Sequence, residues 1–254
     1  MIVKHLLAAL VAGLIAGVLM TAMQQYRVVP LILHAEEFEG EEAPADPGHQ
    51  HSSKANYSTF GQLASSLYIV TPAYAHDHPA AEGEEEGGIM FGMSRFSGTL
   101  AANLVAGAGF ALLLAGVSLV SGHTITVANG VLWGGCAWLA VHFLPALGLP
   151  PELPGFPAAD LGERQVWWLI TVALSAIGLY LLAIRGEIAA KIVGILLIAA
   201  PHFWGAPQPD SIDSAVPAVL AAEFAVAALA TTLFFWVVLG LALGYLNDKV
   251  VKAA

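Results

Sequence analysis

Six apolar runs, set apart by short polar connections and one long polar stretch, give the chain its pattern. They cover residues 5–25, 97–120, 125–147, about 166–184, about 188–204, and a last run from Val216-Pro217 to Asn247. Most approach the roughly 20 apolar residues that a helix needs to cross a bilayer. They are continuous rather than alternating, which argues against a membrane β-barrel. The pattern predicts an all-α, polytopic helical membrane protein with six transmembrane helices. Five is the alternative, because the fifth run is short enough to be re-entrant. Three segments follow: a first transmembrane helix in residues 1–33, a long loop in 34–95, and a five-helix bundle in 96–254.

Detail within the runs adds to this picture. The first has no small-x-small cleavage site between Thr21 and Tyr26, so an uncleaved helix is expected. Gly13 and Gly17 lie four apart, in phase with Ala9 and Thr21, and Gly130 and Gly134 repeat the spacing in the third run. Small residues at this interval let a second helix approach closely. Met20 and Met23 share a face and read as core packing. Trp167 and Trp168 open the fourth run as anchors at the membrane interface. Asn103 and Asn129, inside the second and third runs, read as hydrogen-bonding links between helices.

Charge fixes the expected orientation. In a six-span arrangement Lys4, Arg185, Lys191, Lys249 and Lys252 fall on one side. Glu152, Asp160, Glu163, Arg164, Asp210 and Asp213 fall on the other. Lysine and arginine mark the cytoplasmic side. The amino terminus is therefore expected in the cytoplasm of a bacterial inner membrane, with the long loop in the periplasm. A five-span arrangement would strand Lys249 and Lys252 outside, which favours six.

Composition narrows the function. Only 11 % of residues are charged, against about 25 % in an ordinary globular chain. The net charge of −10 comes mostly from the loop, and no basic patch suited to phosphates occurs, so nucleic acid is not an expected partner. Cys136, the single cysteine, excludes an intrachain disulfide and a CxxC motif and reads as a small buried core residue. None of the five lysines stands in a G-x-x-x-x-G-K-[ST] run, so ATP hydrolysis is not expected.

The chemistry concentrates in residues 34–86. This stretch holds eleven of the nineteen acids, with Glu36, Glu37, Glu39, Glu41 and Glu42 at its start and Glu82, Glu84, Glu85 and Glu86 at its end. It also holds five of the nine histidines: His34, His49, His51, His76 and His78. His-x-His occurs twice, and Ala75-His76-Asp77-His78 sets two imidazoles around a carboxylate beside Pro79. Imidazole and carboxylate suit cobalt, nickel, zinc and copper alike. His34, His49, His51, His76, Asp77 and His78 are thus the candidate metal ligands. Acid-rich segments are also commonly no more than solvated chain. Residues 57–75 are mildly apolar but broken by Gly61, Gln62, Ser65, Ser66 and Pro72, and do not read as a span.

Inside the membrane the polar groups are few. His142, near the end of the third run, His202, near the end of the fifth, and Glu223, about two turns into the sixth, all fall toward the outer side. A charge at the centre of a span costs about 2.5–3.5 kcal/mol on insertion scales and usually faces a bundle interior or a water-filled path. The three are therefore the candidate transport path. The plain alternatives are interface histidines bonded to backbone carbonyls and a neutral structural carboxyl. Pro201 frees a carbonyl one turn before it, which a path could use.

Three stretches resemble the CbtA family of predicted cobalt transporter subunits associated with vitamin B12 synthesis. The first is LPALGLPPELPG at 144–155, followed by Ala159-Asp160-Leu161 and Arg164-Gln165-Val166-Trp167-Trp168. The second is Pro201-His202-Phe203-Trp204-Gly205-Ala206-Pro207 with Val216-Pro217, and the third is Val29-Pro30-Leu31-Ile32-Leu33-His34-Ala35-Glu36. The resemblance spans most of the chain except the loop's middle, where residues 49–75 look like an insertion. It implies cobalt as the transported ion, five spans rather than six, and a small one-span partner subunit with a histidine-rich tail.

The expected function is uptake of a divalent metal ion by a non-enzymatic membrane subunit that needs no cofactor. Its expected surroundings are membrane lipid and that small partner. Two other readings stand beside it. One is a haem-binding redox protein using spaced membrane histidines; the other is a scaffold or metal-sensing subunit that does not itself transport.

Overall fold

The computed structural model describes residues 2–39 and 94–252. His49, His51, His76, Asp77 and His78 lie outside the described residues. The helices are α1 (Ile2–Arg27), α2 (Val29–Glu39), α3 (Arg95–Ser121), α4 (Val127–Ala146), α5 (Leu161–Ile184), α6 (Ile188–Trp204) and α7 (Ala218–Lys252). The protein is a polytopic helical membrane protein. Among the described residues five helices, α1, α3, α4, α5 and α7, are long and apolar enough to cross a membrane.

The fifth apolar run forms α6, whose 17 residues span about 25 Å, less than the roughly 30 Å hydrocarbon layer. It nevertheless runs antiparallel along α5. Gly178 meets Gly194 backbone to backbone, and the ring of Trp167 lies 5.8 Å from that of His202. Helix α6 therefore returns the chain to the end where α5 began. The helix after α1 also runs further than the pattern of polar residues suggests, since α2 continues to Glu39. Pro30 stands at its second position, where a missing N–H breaks no helical bond.

Contacts at the two ends fix the parity of the bundle. At one, the terminal end, His5 Nδ1 donates to Asn247 Oδ1 at 3.0 Å, and Asn247 Nδ2 donates to the Ile125 carbonyl at 3.1 Å. The Val127 N–H donates to Asp248 Oδ2 at 3.2 Å there too. At the other, the loop end, Arg95 pairs with Glu36 at 2.8 Å, and Val28, Ala35, Leu153, Val216, Leu220 and Phe224 form one apolar cluster. The start of α1 and the end of α7 thus share a side, which requires an even number of crossings. Reporters fused to the two termini should accordingly report the same compartment. Opposite compartments would mean that α6 does not return the chain across the membrane.

Helices α1, α3, α4 and α7 form the main body, joined by glycine contacts. Gly13 packs on Gly107, Gly17 on the Asn103 carbonyl, Gly130 on Gly240 and Gly134 on the Trp236 carbonyl. The expected stripes are used as expected, and Met20 joins the core with Leu114, Trp236, Leu239 and Leu243. Asn103 links helices, donating to Thr21 Oγ1 at 2.9 Å and Gln24 Oε1 at 2.6 Å. Asn129 does something else. It lies in the first turn of α4, where its Oδ1 accepts from the Thr126 N–H at 2.7 Å and its Nδ2 donates to the Thr124 carbonyl. Orphan backbone donors at a helix start make such capping favourable. Cys136 is half-buried rather than buried.

Candidate functional site: a cleft at the loop end

Helix α4 is not regular. After Val127–Trp138 it passes through a π turn at Leu139–Phe143 and ends in Leu144–Ala146. Pro145 explains the change. It has no N–H for the carbonyl one turn back, and its ring crowds that carbonyl. Just before it the ladder widens, so that the Leu144 N–H reaches the Leu139 carbonyl. The π turn carries His142 and bears against α5. Such turns recur at functional sites.

Beside this turn lies a cleft of about 750 Å³, walled by α4, the Leu149–Glu152 segment, the first turns of α5, and Ala228, Leu229 and Thr232 of α7. The walls are mainly apolar. His142 lines it, and at its rim Arg164 Nη2 meets Glu152 Oε2 at 2.7 Å, both side chains partly exposed. Asp160 caps α5 by accepting from the Glu163 N–H at 3.1 Å, which seats Arg164 one turn in. Trp138 Nε1 donates to the Leu229 carbonyl and to Thr232 Oγ1, both at 3.1 Å, holding α4 to α7 alongside.

The His142 ring has a defined setting. Trp236 Nε1 donates to His142 Nδ1 at 3.1 Å, and Phe110 packs on both rings at 6.4 and 5.0 Å. With Nδ1 accepting, a neutral imidazole carries its proton on Nε2. Toward the terminal end the bundle is filled by Trp236, Leu239, Leu243 and Ile125, all fully buried.

The three residues expected to share a path occupy three settings. His142 lines the cleft. His202 lies against Trp167, on the face of α5 turned away from it, and its buried Nε2 has no hydrogen-bond partner among the described residues. Glu223 is exposed, on an outward stripe of α7 with Val219 and Val226. Its neighbour Phe224 packs in the cluster with Val28, next to the end of α1, less than two turns from the start of α7. His34 is exposed on α2, its ring 5.5 Å from that of Phe38. Among the described residues no three His, Cys, Asp or Glu side chains form a group able to hold a metal.

Sequence reasoning missed Trp236, Arg164 and the π turn as parts of one site. Pro145, three residues after His142, was the signal available for the turn. Over residues 2–248 the chain matches a family model described as CbtA, probable cobalt transporter subunit. No curated protein and no solved structure matches it.

Proposed function

Because the chain belongs to the CbtA family of probable cobalt transporter subunits, we propose that it carries a divalent cation, cobalt, inward across a bacterial inner membrane. The observation that carries this reading is a family match extending over nearly every residue. In the proposed orientation the terminal end is cytoplasmic, in keeping with Lys4, Lys249 and Lys252 there, and the loop end is periplasmic.

The acidic stretch then works as the collector. Its carboxylates raise the local cation concentration by their field, an effect that salt screens. His34, His49, His51, His76, Asp77 and His78 offer weak, exchangeable ligation. Because Arg95 pairs with Glu36, the stretch leaves and rejoins the bundle at one end, the end where the cleft lies. His142 is the imidazole that meets the ion within the cleft, which Glu152, Arg164, Gln165 and Thr232 also line. A divalent ion moving into a negative interior gains about 4–5 kcal/mol per 100 mV, which can drive uptake without ATP. Glu223 lies exposed on an outward stripe of α7, and a path that uses its carboxylate would run along that face, closed by a small one-span partner.

Radioactive cobalt uptake by cells expressing the chain, with nickel and zinc as competitors, tests the proposal. Replacing His76 and His78 with alanine should lower uptake at scarce cobalt and leave it near normal at abundant cobalt. Accumulation no greater than in cells lacking the chain would sink the transport reading.

A further inference from the structure

The cleft stops at His142, and the side chain beneath it is Trp236, fully buried and bonded to that histidine. Two consequences meet there. The indole fills the space between the cleft and the sealed half of the bundle that Leu239, Leu243 and Ile125 occupy. Its N–H also dictates which imidazole nitrogen holds the proton. Were the ring turned over, Trp236 would lose the acceptor it has at 3.1 Å and leave a buried donor unpaired.

An imidazole binds a metal through a nitrogen lone pair, with its other nitrogen protonated and donating to a neighbour. His142 shows the reverse arrangement. Its Nδ1 lone pair is taken by Trp236, which in the neutral ring leaves the proton on Nε2. For Nε2 to ligate, its proton must move to Nδ1, and Nδ1 has room for that proton only once the indole N–H has withdrawn.

We propose that Trp236 is the gate of the transport path, a positioning residue that keeps His142 from ligating the cation until the indole swings away. Ligation and opening are then one event. The ion replaces the indole as the partner of His142 as the plug beneath it leaves. This rests on the reading that His142 lies on the ion's route.

The test is cobalt chloride binding to the purified full chain by equilibrium dialysis. Trp236→Phe keeps an aromatic ring but removes the donor. It should raise affinity at one site by about tenfold, the scale on which groups behind a ligand act. Adding His142→Ala should abolish the gain, while binding by the acidic stretch stays common to all variants. A damaged fold lowers affinity, so a gain is not the signature of structural harm. A folded Trp236→Phe protein that binds as wild type overturns the proposal. If that variant does not fold, the nitrogen spectrum of wild-type histidine decides, with the His142 signals identified by their loss in His142→Ala. A proton on Nε2 supports the lock and one on Nδ1 overturns it. Cobalt uptake by the wild type fails or succeeds independently of these results, so loss of the transport reading is seen separately.

Discussion

Alanine at Gly134 is expected to destabilise the bundle, while alanine at the adjacent Gly135 is expected to leave it as stable or more so. The two changes add the same single methyl group to the same helix. At Gly134 that methyl would meet the carbonyl oxygen of Trp236 on α7, whereas at Gly135 nothing lies within reach. A carbonyl held in a helical ladder has no rotamer to move to, so α4 and α7 must separate. Overpacking of this kind costs about 1–3 kcal/mol. At Gly135 the methyl instead recovers the roughly 1 kcal/mol by which glycine disfavours a helix. Leucine at Gly134 should go further and leave little folded protein. Thermal melting of detergent extracts, read by size-exclusion chromatography, checks both signs. Equal melting of the two alanine variants would mean that α4 and α7 do not meet backbone to backbone.

The same contact shows what was legible in the sequence. Gly130 and Gly134, four apart in an apolar run, announced a close-packed face because no other reading explains small residues at helical spacing. Their partners were only half legible. Gly240 and Gly244 are also four apart, a stripe in the last run that the reading passed over, while Trp236 contributes a backbone oxygen that its side chain does nothing to advertise. Gly178 and Gly194 were missed because each helix of that hairpin offers one glycine at the contact.

The candidate site divides along the same line. His142 could be read as a polar residue in a greasy run, and so could its place toward the outer end. That it shares a cleft with Arg164 and a lock with Trp236 depends on how three helices meet, and nothing in sequence spacing encodes that. Glu223 read as a lining residue because it is an acid in an apolar run. That it falls on an outward stripe of α7 depends on how that helix packs. The resemblance to the family, by contrast, was readable from short segments, because proline-rich turns such as Leu149–Leu153 combine types and order that rarely coincide.

Replacing Asn247 with leucine should cost the terminal end its cohesion. Asn247 is 6 % exposed and works as a two-sided link. Its carbonyl accepts from His5 on α1, and its amide donates to the Ile125 carbonyl between α3 and α4. Leucine keeps the volume but leaves both partners without their bond. The Ile125 carbonyl is fully buried, and leaving it unsatisfied costs about 1–3 kcal/mol; His5 is part-buried, so its lost bond adds less. Asp248 does not replace the link, since its carboxylate is engaged with the Val127 N–H. His5→Ala removes one side only and should cost less than Asn247→Leu, because the Asn247 amide keeps its bond to Ile125. Combined with Asn247→Leu, it should add less than it costs alone, since contacting partners are not additive. Melting of the two single variants and the double variant gives the coupling directly. Simple addition of the two effects would show that the start of α1 and the end of α7 are not joined through this pair.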